Sequence, residues 1–84
     1  MTPADLAAAL GVDVESVIPG RRGHHRCDID ADRRSWSIKG GYLYTAPLRG
    51  HGVCIDYPIT TTLPAAVAHV RAMLAVQPLK ENAP

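Results

Sequence analysis

Two adjacent glycines at positions 40 and 41 constrain this chain more than any other feature. They separate "SWSIK" from "YLYTA", two runs in which apolar and polar residues alternate. Alternation is the pattern of a half-buried strand. A two-residue link between antiparallel strands needs positive φ at both positions, which glycine adopts without a steric penalty. The pair therefore predicts a hairpin in which Lys39 faces Tyr42, Ile38 faces Leu43, Ser37 faces Tyr44 and Trp36 faces Thr45. Successive side chains point to opposite faces. Trp36, Ile38 and Leu43 then share one face, while Ser37, Lys39, Tyr42 and Tyr44 share the other. The chain has no Phe and one Trp, so the Trp36 face is the one that builds a core.

The flanking segments read just as locally. Thr2 is a cap, Pro3 suits a first helical turn and Asp5 complements the helix dipole. Leu6, Ala9 and Leu10 lie on one helical face, Gly11 is a stop, and Val12 folds back on the last turn. Asp13 then reads as the cap of a short second helix carrying Val14, Val17 and Ile18, ended by Pro19-Gly20. "GRRGHH" is a loop. "RCDID" alternates again, with Cys27 and Ile29 on one side, and a turn over 30–33 leads into the hairpin. "PLRGHG" is a longer loop, and "VCIDY" is a fourth strand with Val53, Ile55 and Tyr57 on one face. A last helix starts near Thr62. Its stripe is Leu63, Val67, Val70 and Leu74, its outward residues are His69 and Arg71, and Pro78 is its expected stop. The predicted class is α+β: an N-terminal helix, a short second helix, a four-stranded antiparallel meander, and a C-terminal helix packed on one face of the sheet. Residues 1–77 are expected to form one domain and 78–84 a frayed tail.

Composition narrows the functional classes. The chain has 84 residues, a net charge of +1 and 20% charged residues, so any nucleic-acid contact must come from a local patch rather than from the whole molecule. Seven Arg against two Lys, and twelve Ala against one Asn, point to a GC-rich genome, actinobacterial or of a phage. Two cysteines, Cys27 and Cys54, do not make a disulfide framework. "MTPADLAAALG" has neither a basic start nor a long apolar run, and no stretch reaches membrane-spanning length. A cytoplasmic protein with reduced thiols and no membrane partner is expected.

The strongest candidate site is the outer face of the hairpin, with Ser37, Lys39, Tyr42 and Tyr44. Tyrosine offers large, rigid, amphipathic area and is favoured at contact surfaces. The second candidate is the segment 21–34, where Arg21, Arg22, Arg26, Arg33 and Arg34 are available for phosphate, with the tyrosines stacking bases. Three aspartates in the same stretch offset that charge. "DLAAALGVDVESV" resembles the first half of a helix-turn-helix, but Pro19-Gly20 leaves its second helix too short to read a groove. The lysine-rich second helix of a double-stranded-RNA-binding domain is also missing.

His24, His25, Cys27, His51 and Cys54 could ligate zinc only if the sheet curls enough to bring the first and fourth strands together. Cys54 with His51 or His69 is the one conceivable nucleophilic dyad, and no phosphate loop or nucleophile elbow is present. The sequence thus predicts a non-enzymatic module with no cofactor and no metal. It binds a protein partner, or a second copy of itself, through the outer face and the basic loop. The alternative is a nucleic-acid binder.

Overall fold

The computed structural model describes residues 1–50 and 52–81, with side chains through residue 76. Helix α1 spans Pro3–Leu10, strands β1 to β4 span His25–Ile29, Arg34–Lys39, Tyr42–Pro47 and Ile55–Pro58, and helix α2 spans Leu63–Glu81. The sheet order is β1-β2-β3-β4, antiparallel throughout. This is the expected α+β meander.

Helix α1 is defined at both ends by hydrogen bonds its sequence encodes. Thr2 Oγ1 accepts from the Asp5 N–H at 3.2 Å, and the Thr2 N–H donates to Asp5 Oδ2 at 2.8 Å. This reciprocal pair is a capping box, which ties the residue before the helix to its first turn. At the other end Gly11 has φ 76°. There the Val12 N–H reaches Ala7 O at 3.0 Å and the Gly11 N–H reaches Ala8 O at 3.3 Å, which is the Schellman closure. Leu6, Ala7 and Leu10 are buried and Ala9 is only partly so.

The expected second helix is one 3₁₀ turn, Val14–Ser16, and Asp13 makes no side-chain cap. Only Val17 of its apolar residues is buried; Val14 is 47% and Ile18 59% exposed. The cause is a competing pairing. Ile18 is extended and exchanges both backbone hydrogen bonds with Arg26, at 2.7 and 3.0 Å, so the chain leaves its helical turn to cover the outer edge of β1. Gly20 follows, packed so closely that an added Cβ would collide with the His24 carbonyl oxygen.

The hairpin register is the predicted one, Lys39↔Tyr42 through Trp36↔Thr45, continuing to Arg34↔Pro47. Gly40 and Gly41 have φ 56° and 80°, the signs a two-residue turn of this hand requires. On β4 the Ile59 N–H donates to Gly41 O at 2.9 Å. By antiparallel alternation Ile55 and Tyr57 then turn their backbone groups toward β3, and Asp56 and Pro58 turn theirs outward. Pro58 therefore sits where its missing N–H removes no ladder bond, and it blunts the free edge.

Both helices pack on one face of the sheet. The core joins Cys27, Trp36, Ile38 and Leu43 of that inner face to Leu6 and Leu10 of α1 and to Leu63, Ala66, Val67 and Val70 of α2. Leu74 continues the stripe, half-buried. His69 and Arg71 were expected to point away from the sheet. His69 is exposed but stacks on the inner-face Tyr57, with ring centroids 5.1 Å apart. Arg71 turns inward: its guanidinium lies 5.4 Å from the Trp36 ring centroid, and Nη2 is 3.2 Å from Asp32 Oδ2. The indole Nε1–H of Trp36 donates to that same oxygen at 3.2 Å. The stop expected at Pro78 does not occur, since α2 runs on to Glu81. Proline's φ suits a helix, and its cost is one backbone bond and a local steric clash. Of the expected tail, residues 82–84 lie outside the described residues.

Candidate interaction surface

Neither helix packs against the opposite face of the sheet. Its composition follows from strand alternation and register alone. One row across the sheet is Arg26, Ser37, Tyr44, Asp56, in strand order. Beside it, toward the hairpin turn, lie Lys39, Tyr42 and Pro58. On the other side lie Asp28, Ser35 and Ala46, with Cys54 next in line before β4 begins.

Ser37, Lys39, Tyr42 and Tyr44 are thus brought together, as their spacing predicted. Tyr42 is 44% exposed and Tyr44 half-buried. Their rings lie 6.1 Å apart, tilted by 34°, within the range of favourable aromatic pairs. Next to Tyr44 the small residues Ser35, Ser37 and Ala46 line a shallow depression of about 250 Å³ bounded by Cys54 and Asp56. Large rings beside a trough of short side chains give the face relief.

The charges on this face are placed unevenly. Arg26 and Asp28 share β1, and the guanidinium grips the carboxylate through Nε–Oδ1 at 3.0 Å and Nη2–Oδ2 at 3.1 Å. That bond holds the Asp28 carboxyl below the usual carboxylate range, despite some desolvation, and raises Arg26 further. Across the sheet Asp56 is exposed and has no ion pair among the described residues. Asp56 was absent from the expected site. The alternation of "VCIDY" contains it, because Ile55 and Tyr57 inward means Asp56 outward.

The five arginines of the segment 21–34 are not gathered on one surface. Arg21 and Arg22 are exposed on a 3₁₀ turn, Arg21–Gly23, that contacts β2. Arg26 is on the outer face, bound to Asp28. Arg33 is exposed on the turn between β1 and β2, at the opposite end of the sheet from the Gly40-Gly41 turn. Arg34 faces inward: its Nε donates to Thr45 Oγ1 at 3.0 Å and Nη2 to the Val53 carbonyl, and desolvation pulls its pKa down. Its role is to tie β2 to the β3–β4 loop. Arg33 instead joins Asp30, Leu48, Arg49 and Gly50 around an end cleft of about 390 Å³.

The metal and dyad candidates separate for the same reason. Cys27 and His25 are buried on the inner face, where the His25 Nδ1 accepts the Gly20 N–H at 3.4 Å, and Cys54 is exposed on the outer face. The sheet stands between them. His69 lies on the helix side, against Tyr57, so it does not meet Cys54 either. His51 lies outside the described residues. Among the described residues no group of three or more His, Cys, Asp or Glu side chains could hold a metal ion, and no helix is long and apolar enough to cross a membrane.

Comparison of the chain with protein-family models, with curated proteins and with solved structures finds no match.

Proposed function

We propose that this protein is a non-catalytic binding module whose working surface is the outer sheet face, with another protein as its partner. One observation carries the reading. Two tyrosines and a trough of short side chains share a face against which neither helix packs. Rigid aromatic knobs beside shallow holes are what a desolvated contact needs at its centre. Lys39, Arg26 and Asp56 stand around them as a polar rim. The free thiol of Cys54 suits a reducing compartment, so we place the module in the cytoplasm.

A strand of nucleic acid over the same tyrosines is the competing occupant. Its phosphates would meet Asp28 and Asp56 as well as Lys39, and Arg34 is turned away from them.

The test is capture of partners from a lysate of the source organism on immobilised wild type, Tyr42→Ala and Tyr44→Ala, with and without nuclease. A protein contact anchored on these rings survives nuclease and changes little with salt. It weakens on Tyr44→Ala by roughly 2 kcal/mol, about thirtyfold. Partners that vanish after nuclease, or whose binding falls steeply with salt, overturn the protein reading. Partners indifferent to both tyrosine changes overturn the choice of face.

A further inference from the structure

We propose that the occupant of the outer face is a second copy of this chain, packed sheet against sheet about a two-fold axis parallel to the strands between β2 and β3. This rests on the reading of that face as a contact surface and names its partner. The register supplies the argument. The central row reads Arg26, Ser37, Tyr44, Asp56 from β1 to β4. A two-fold axis in that position exchanges β1 with β4 and β2 with β3 while keeping each row in place. Arg26 then lies over the second copy's Asp56, and Asp56 over the second copy's Arg26. Tyr44 lies over the second copy's Ser37, a ring above a short side chain. Lys39 lies over the second copy's Tyr42, the geometry of a cation above an aromatic face. Each contact occurs twice, as an isologous interface demands.

The chemistry of Arg26 permits this. Its bonds to Asp28 use Nε and Nη2, which leaves Nη1 for another carboxylate. Asp56 is exposed and has no ion pair among the described residues. Inclining the axis by about 15° to the strands gives stacked sheets their usual angle of about 30° and moves the outer strands along one another by roughly one residue, within the reach of an arginine.

Two rival pairings bring like charges together. A two-fold axis across the strands, run through the central row, sets Arg26 on Arg26 and Asp56 on Asp56. Edge pairing of two β4 strands about Asp56 sets two carboxylates side by side, and Pro58 withholds an N–H from that ladder.

The experiment uses two charge reversals, Arg26→Glu and Asp56→Arg, read by sedimentation, with near-ultraviolet dichroism of buried Trp36 confirming the fold. Wild type is expected to dimerise, and each variant alone is expected to be monomeric because like charges now face each other. A one-to-one mixture of the two is expected to dimerise again, because Glu at 26 meets Asp56→Arg while the native Asp56 and Arg26 meet as before. A wild type monomeric up to about 1 mM, or variants that dimerise alone as well as wild type does, overturns the proposal.

Dilution of wild type followed by amide chemical shifts needs no variant to fold. Changes centred on Arg26, Ser37, Tyr44 and Asp56 support the interface, and changes confined to the β4 edge or to α2 overturn it. A monomer whose capture of other proteins still depends on Tyr44 sinks the second-copy proposal alone. A dimer insensitive to Tyr44→Ala, with capture equally insensitive, sinks the face itself.

Discussion

Asp32→Ala should destabilise this protein by about 2 kcal/mol, and the number can be assembled from three atoms. Asp32 Oδ2 accepts from Trp36 Nε1 and from Arg71 Nη2, each at 3.2 Å. Trp36 is fully buried. Removing the acceptor strands its indole N–H in the core, which costs about 1–3 kcal/mol. The ion pair with Arg71 is more than a third exposed on the arginine side, and such pairs contribute only about 0.2–1 kcal/mol. The indole bond therefore dominates. Asp32→Asn is the discriminating control, since its amide oxygen still accepts the indole hydrogen while the charge is lost, and it should cost under about 1 kcal/mol. Urea unfolding followed by Trp36 fluorescence measures both. With a slope near 1 kcal/mol/M for a chain this small, the midpoint should fall by about 2 M for alanine and by less than half of that for asparagine. Equal losses in the two variants would refute the idea that the indole bond, rather than charge, latches the β1–β2 turn and α2 onto the tryptophan.

Two further outcomes follow from the geometry. Arg33 sits at φ 56°, where a side chain costs about 1–2 kcal/mol. Arg33→Gly relieves that strain and loses about 0.5–1 kcal/mol through a freer unfolded chain, so thermal melting should show a net gain of about 0.5–1 kcal/mol; a loss would mean the arginine side chain holds the end cleft together. Burial pushes the Cys27 thiol up, aided by the nearby Asp28 carboxylate, while Cys54 is exposed. A thiol-specific reagent at neutral pH should label Cys54 at once and Cys27 only on unfolding; rapid labelling of both would contradict the placement of the two cysteines on opposite faces.

The candidate site was legible in part. Ser37, Lys39, Tyr42 and Tyr44 follow from the glycine pair, because a two-residue turn leaves one register and alternation assigns the faces. Arg26 and Asp56 complete the row only when β1 and β4 are docked on either side, and no turn between them is short enough to set those registers from sequence. The arginine segment misled for a related reason. Five neighbours in sequence are spread over a turn, the outer face, the opposite end of the sheet and the inner side, because a strand and its flanking turns scatter adjacent side chains.

What the chain determines by itself is whatever acts within a few residues: the Thr2–Asp5 capping box, the closure at Gly11, the Gly40-Gly41 turn and the apolar stripe of α2. These are contests between local backbone conformations, and residue type decides them. The tertiary structure decided where distant partners compete. Ile18 gave up a helical turn for the edge of β1, and Arg71 turned from solvent to the Trp36 ring and the Asp32 carboxylate. In each case a hydrogen bond or a ring face that no local pattern encodes was brought within reach by packing, and it outweighed a weak local preference.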